Sequence, residues 1–367
     1  MNLKVLVISD YRDTVSVRPE AELFIGLARE GVEVTVMTYG EAVYVEAFRS
    51  AGIKVIDFHP RHKFDKEEIR FIRHELTTGG YHVMHLFNGK AIVSGLRAAR
   101  KLNVKVVLYR GYTGNIHWYD PTAYFKYLSP RVDKIFCIAD ATRDLIKRNR
   151  LFGKDKPVTI TKGHNLEWYD GIEPAGLSEL NLPNDAFIVT NVCNARPMKG
   201  ISYLLRSASH ISADLPIHYL LVGRNLDTPE NRKIISGSPN RDKIHFLGFR
   251  KDVLNVVKAS DAFVLSSLYG EATTKAVIEA MSLGICPLIT DIPGNKGLVI
   301  HEECGLVFPS KDPKAIAEAI LTVYHDPEKR RLFAKNARKQ IDTNFNIKNT
   351  IRNTKLLYEE LRDSLNS

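Results

Sequence analysis

Four charged residues in the second half of the chain, Arg196, Lys199, Glu271 and Glu279, have the types and spacing to hold a doubly charged ligand. The glutamates lie in Glu271-Ala-Thr-Thr-Lys-Ala-Val-Ile-Glu279, between an apolar run, Ala262-Phe-Val-Leu265, and the rest of a helical pattern that reaches about Leu283. Gly284 stops that helix, and Cys286-Pro-Leu-Ile-Thr290 reads as the next strand. A strand–loop–helix crossing puts loop backbone and a helix N-terminus at the carboxyl edge of a parallel sheet, where open α/β folds bind ligands. The free N–H groups of that terminus and its dipole favour an anion. Glu271 falls just before the helix, facing the crevice. Glu279 falls within it, able to accept hydrogen bonds from ligand hydroxyls. A pyrophosphate with a sugar at each end needs this combination.

Arg196 and Lys199 lie in Asn194-Ala-Arg-Pro-Met-Lys-Gly200, a turn between the strand Phe187–Asn191 and the helix that starts at Ile201. A forked guanidinium and a point-charge ammonium suit adjacent phosphates. They also suit the charge that develops on a departing diphosphate, where fixed cations stabilise a transition state most. In the first half, Val107-Leu-Tyr-Arg-Gly-Tyr-Thr-Gly-Asn-Ile-His-Trp-Tyr-Asp120 follows a strand and is rich in hydrogen-bonding groups, among them Arg110, Asn115 and His117. His85, in Val83-Met-His-Leu-Phe-Asn88, reads as a strand-end residue. No Asp-x-Asp, no Gly-x-Gly-x-x-Gly after the first strand, no P-loop and no Cys/His cluster with zinc spacing occurs.

The elements that must position these residues alternate along the chain. Strands are expected near 4–9, 32–37, 54–57, 83–87, 105–109, 134–139 and 158–161, with helices at 19–30, 66–76, 91–101 and 142–148 between them. A polar, turn-rich stretch over 163–184 interrupts the pattern. A second set follows: strands near 187–191, 218–222, 243–246, 262–265, 287–290 and 306–308, and helices at 201–210, 253–258, 274–283 and 313–325. Helical patterns at 327–343 and 347–361 end the chain. Apolar strands with little alternation imply sheets covered on both faces, and strand–helix alternation implies parallel order. The expected fold class is therefore α/β, with two doubly wound domains.

Ser266-Ser-Leu-Tyr-Gly-Glu271, Ile278-Glu-Ala-Met-Ser-Leu-Gly284 and Thr290-Asp-Ile-Pro-Gly294 together resemble the signature of retaining glycosyltransferases of family 4, the group 1 glycosyl transferases of GT-B fold. That pattern is a Glu, seven residues, a second Glu, then Ala-Met and a Gly. The resemblance implies two Rossmann-like domains facing across a cleft: 1–165 binding the acceptor, a linker at 166–184, 185–345 binding the nucleotide sugar, and a helix at 346–367 crossing back to the first domain. It implies transfer of a sugar from a UDP- or GDP-linked donor to a hydroxyl of a glycan or glycolipid, with retention, no metal and no cofactor. Arg196 and Lys199, where the family has an Arg and a Lys-Gly, would stabilise the leaving diphosphate. Glu271 would meet the donor sugar and Glu279 the ribose. Thr273, Thr274 and Lys275 open the helix beside them. Lys243–Val253 resembles the segment that meets the base, through Gly248 and through Phe249 or Arg250, and Gly223 ends another strand facing the donor. In the first domain the family often has a His after the strand at 105–109. Here Arg110-Gly111 holds that place and His117 follows, so His117 joins the expected catalytic set and Arg110, Asn115 and His117 the acceptor set. The first loop lacks the paired glycines common in the family, and Lys296-Gly297 stands where Pro-Glu is common.

Composition agrees with such an enzyme. The chain has 367 residues, 44% hydrophobic and 26% charged, with formal net charge +10. That sign favours an anionic partner. Arg12, Arg18, Arg61, Lys63 and Arg97 suit an anionic membrane surface, while nothing resembles a nucleic-acid module. The apolar start reads as a first strand rather than a signal peptide. Cys137, Cys193, Cys286 and Cys304 read as reduced core thiols. A cytoplasmic protein, peripheral on the inner face of the membrane and making surface polysaccharide, is the expectation. Two rivals are a GT-B sugar-nucleotide 2-epimerase, revealed by isomerisation of donor without acceptor, and a non-catalytic nucleotide-sugar or membrane-binding module, which need not have kept the four charged residues.

Overall fold

The computed structural model describes residues 2–13, 17–114 and 116–365. The first part of the chain runs β1 (Lys4–Ile8), α1 (Arg18–Arg29), β2 (Glu33–Thr38), α2 (Val45–Ser50), β3 (Lys54–Asp57), α3 (Lys66–Gly79), β4 (Val83–Leu86), α4 (Gly89–Ala98), β5 (Lys105–Arg110), β6 (Lys134–Cys137), α5 (Asp140–Asn149) and β7 (Pro157–Thr159). The second runs β8 (Phe187–Val192), α6 (Ile201–Ser207), β9 (Ile217–Val222), α7 (Pro229–Ser236), β10 (Ile244–Gly248), α8 (Val253–Lys258), β11 (Ala262–Leu265), α9 (Lys275–Ser282), β12 (Cys286–Thr290), β13 (Leu306–Phe308), α10 (Pro313–His325) and α11 (Pro327–Asn344). The chain ends in α12 (Ile347–Asp363).

Two compact units result: Met1–His164 with Phe345–Ser367, and Asn165–Asn344. The first holds a seven-stranded sheet of order β3-β2-β1-β4-β5-β6-β7, the second a six-stranded sheet of order β10-β9-β8-β11-β12-β13. The pairings are parallel. Strands such as Val83–Leu86 and Ala262–Leu265 are buried at every residue, because helices cover both faces. In each sheet the order reverses beside the first strand, β1 or β8. The crossovers diverge there and leave a crevice at the carboxyl edge.

Local chemistry fixes the helix starts. Asp65 caps α3 through the Glu67 and Glu68 amides, Asn88 caps α4 through Ala91, and Asp312 caps α10 through Lys314 and Ala315. Helix α12 lies on α1, where Ile351 fills the space over Gly26; a Cβ there would come within 2.2 Å of it. The ring of buried His85 meets Tyr358 Oη of α12 at 2.6 Å.

Two differences from the sequence reading concern short elements. Helices α2 and α7 were not expected. Helix α2 spans only six residues, and α7 buries none of its own, so neither shows an apolar stripe. A third concerns the stretch 166–184, expected as a linker, which packs as part of the second unit. Ala175, Leu177 and Leu180 lie against Leu220, Val222 and Val256, and Asn255 binds both the Ala175 amide and the Glu173 carbonyl.

Candidate functional site

In the second unit the loops after β8 and β11 leave adjacent strands at the reversal point and are bound to each other. Leu268 N donates to Met198 O at 2.7 Å, and Ser266 Oγ to Lys199 O at 2.9 Å. Gly200 adopts φ +63° directly on the Ser266 carbonyl, where a Cβ would come within 2.1 Å. A side chain is thus excluded by both conformation and space. This clamp brings Lys199 to Glu271: Nζ and Oε1 are 2.5 Å apart, with side chains only 16% and 12% exposed. Ser267 Oγ donates to the same Glu271 oxygen at 2.8 Å. Thr290 Oγ1 in turn holds the Ser267 carbonyl at 2.7 Å. Lys199 is therefore not the lone ammonium the sequence suggested but half of an oriented ion pair. Arg196 is exposed at the start of the same turn.

Helix α9 starts beside this pair. Its N-cap, Thr274, makes no capping bond, because its hydroxyl meets Asn295 Oδ1 at 3.3 Å. The cap's own side chain therefore takes none of the first-turn amides, where an anion would sit. Thr273 precedes the cap. Lys275 Nζ pairs with Glu279 Oε1 one turn on, with both side chains largely buried. Each of the two glutamates is therefore paired with a lysine.

The neighbouring loops extend the edge. Gly223 (φ +147°) sits where a Cβ would lie 1.7 Å from Cys193 O, and its amide donates to Gly248 O at 2.8 Å. Asn194 Oδ1 accepts from Arg224 N at 3.0 Å. The Arg224 guanidinium lies 4.6 Å from the centre of the Phe249 ring, which is exposed. Arg224 carried no role in the sequence reading; its place just after Gly223 at a strand end was the available signal. Arg250 requires a correction. Its donors go to Asp252 at 2.7 Å and Glu179 at 3.0 Å, so it braces the segment 173–180 rather than standing free for a base.

The first unit changes more of the expectations. Arg110 is 1% exposed and donates to the carbonyls of Tyr112, at 2.9 Å, and Gly114. Its guanidinium stacks 3.6 Å from the Tyr112 ring centre. It holds the loop and does not offer itself to an acceptor. His117 is exposed and stacked on Tyr119 at 5.0 Å. Asn115 lies outside the described residues. A different group gathers at the carboxyl edge beside β1 and β4. Arg12 binds Asp10 through Nε at 3.0 Å and Nη2 at 2.8 Å and stacks on Tyr39 at 3.8 Å. Tyr39 stacks on His59 at 4.8 Å. His59 Nε2 meets Asn88 Nδ2 at 2.7 Å. Only the amide can donate there, so the ring is neutral, and burial holds its pKa below the ordinary value. Four different strand ends supply these residues, so no local motif marks them.

Among the described residues, no group of three or more His, Cys, Asp or Glu could hold a metal ion, and no helix is long and apolar enough to cross a membrane.

Comparison with known proteins follows the same division. The model of the glycosyl transferases group 1 matches residues 177–340, and that of Glycosyltransferase Family 4 matches residues 21–168. Between them the two models span most of the chain and support a glycosyltransferase whose second unit is similar to group 1. A relative of this transferase from Escherichia coli, UDP-Gal:alpha-D-GlcNAc-diphosphoundecaprenol alpha-1,3-galactosyltransferase, is 26% identical over 77% of this chain and 76% of its own. The crystal structure of a glycosyltransferase from Rickettsia africae superposes with TM-score 0.80 at 17% identity, covering 98% of both chains. That of Anabaena HepE in complex with UDP gives 0.75 at 17% identity, over 98% of this chain and 100% of that one. The transferase therefore has the GT-B fold, two parallel-sheet Rossmann-like domains.

Proposed function

We propose that the transferase moves a sugar from a UDP-linked donor to a hydroxyl of a lipid-linked or polymeric glycan acceptor, with retention and without a metal. The observation that carries this reading is the clamp between the loops after β8 and β11, which sets a cation, a carboxylate and an uncapped helix N-terminus at one sheet edge. UDP in HepE and the diphosphoundecaprenol named for the Escherichia coli relative support the donor and acceptor classes.

In this reading Arg196, Lys199 and the first-turn amides of α9 receive the diphosphate. Glu271 orients Lys199 and meets the donor sugar, and Glu279 accepts from the ribose. Arg224 and Phe249 flank the base. As the C1–O bond to the diphosphate breaks, its electron pair goes to the phosphate oxygen, whose growing charge the cations offset. The acceptor oxygen then bonds to C1 on the same face, and its proton passes to that phosphate oxygen. The test is incubation with UDP-sugars and a lipid-diphosphate sugar acceptor in EDTA, with product anomers assigned by NMR. An α product from an α donor supports the reading. Donor isomerised without acceptor, inversion, or activity restored only by Mg²⁺ or Mn²⁺ contradicts it.

A further inference from the structure

The loop after β12 takes no step in the transfer, yet it is built tightly against the loop that carries Glu271. Gly294 lies on the Glu271 carbonyl, where a Cβ would come within 1.8 Å of the oxygen. Its neighbour Asn295 is 2% exposed, and its carboxamide is engaged in two directions. Nδ2 donates to Thr290 O at 3.2 Å, and Oδ1 accepts from Thr274 Oγ1 at 3.3 Å. The Asn295 backbone is fixed as well. Its amide donates to Ile292 O at 2.9 Å, and its carbonyl accepts from Leu298 N at 3.1 Å. Gln340 of α11 holds the end of the loop, donating to Gly297 O at 2.9 Å. Thr274, the N-cap of α9, is extended at φ −77° and ψ 110°. In that conformation a threonine hydroxyl ordinarily accepts from the amide of the second or third helical residue. Thr228, the N-cap of α7, does so, accepting from Asn231 N at 3.2 Å. Thr274 does not. Val277 N turns instead to the Thr274 carbonyl at 3.1 Å, so the Ala276 amide, at the second helical position, is what a released hydroxyl would take.

We propose that Asn295 is a positioning residue for donor binding: it turns the Thr274 hydroxyl away from α9 and so keeps the first-turn amides open to the diphosphate. The proposal rests on the reading above, in which those amides receive the diphosphate. The same carboxamide reaches the other half of that grip. It holds the carbonyl of Thr290, whose hydroxyl holds the Ser267 carbonyl, and Ser267 Oγ donates to the Glu271 oxygen paired with Lys199. One buried side chain thus sets the helix start and braces the ion pair beside it, without touching the ligand itself.

The test uses the full chain, titrated calorimetrically with UDP and with uridine. In Asn295→Ala the released Thr274 hydroxyl caps its own helix and competes with the diphosphate. UDP should then bind about fivefold more weakly, the usual worth of an N-cap hydroxyl, with uridine affinity unchanged. Adding Thr274→Val keeps the shape of that side chain and removes the hydroxyl, so neither partner is left unpaired. The double variant should recover UDP affinity toward the wild-type value. A merely structural lesion at Asn295 would weaken uridine as well and would not be repaired by a second substitution. Asn295→Ser, smaller but still polar, carries the same expectation and serves if Asn295→Ala does not fold. Wild-type UDP affinity in the Asn295 variant, an equal loss of uridine affinity, or a loss that Thr274→Val does not repair would overturn the proposal and leave the transferase reading standing. A wild type that binds no UDP would overturn both.

Discussion

The 2.5 Å contact between Lys199 and Glu271 changes what each can do for a diphosphate. An ammonium has three donors, so Lys199 can keep Glu271 and still reach a phosphate oxygen. Lys199→Ala should lower kcat by about a hundred- to a thousandfold. It should also destabilise the fold by about 2–3 kcal/mol, because a largely buried carboxylate loses its counter-charge. Adding Glu271→Gln should recover stability without recovering turnover. Urea unfolding and steady-state rates on the two variants separate these effects, and wild-type turnover in Lys199→Ala would refute the role. The glutamates should fail differently. A ribose contact is similar in ground and transition states, so Glu279→Gln should mainly raise the donor KM, while Glu271→Gln should mainly lower kcat. The reverse pattern, from rates at varied donor, would mean the roles are exchanged.

Loops rather than helices decide the geometry of the site, and glycines decide the loops. At Gly223, φ +147° and a Cys193 carbonyl 1.7 Å from any Cβ leave no room for alanine. Gly223→Ala should displace the β8 and β9 loops together, lowering stability by about 2–4 kcal/mol and abolishing the UDP-induced rise in Tm. A variant with wild-type Tm and UDP response would show that this clamp does not shape the site. The sequence disclosed much of this edge. The strand at 262–265, the helix after Glu271 and the stop at Gly284 were legible because apolar runs, a turn and a glycine punctuate one another within a few residues. Arg110 and Arg250 were misread for one reason: nothing in a sequence shows whether an arginine's donors are already taken, here by carbonyls and by Glu179 with Asp252. His59 was invisible because its partners, Tyr39 and Asn88, come from other strand ends. The stretch 166–184 looked like a linker because its few apolar residues are spaced by turns, yet Ala175, Leu177 and Leu180 suffice to fasten it.

At the scale of the molecule, the formal charge of +10 falls on the first unit, while the second balances its Lys and Arg against its Asp and Glu, and one long helix returns the chain to the first. That helix is fastened where His85 is buried against Tyr358, and burial lowers the histidine pKa to about 3. The unfolded chain takes up a proton near the ordinary pH 6.5, well before the folded one. The stability that this residue contributes is therefore whole above about pH 6.5 and is lost as pH falls toward 3. From pH 7 to 5 the loss should be about 2 kcal/mol. Urea unfolding should show that slope, and His85→Gln should flatten it; an unchanged slope would remove the histidine from the account. The central claim, that the carboxyl edge of the second unit grips a diphosphate, is tested most directly by calorimetric titration with UDP, UMP and uridine. The account predicts that UDP binds at least about tenfold tighter than UMP, one charge-assisted contact's worth, and that Arg196→Ala and Lys199→Ala remove this advantage while leaving uridine binding unchanged. Equal affinity for UDP and UMP in the wild type, or a UDP preference that survives both variants, would contradict it.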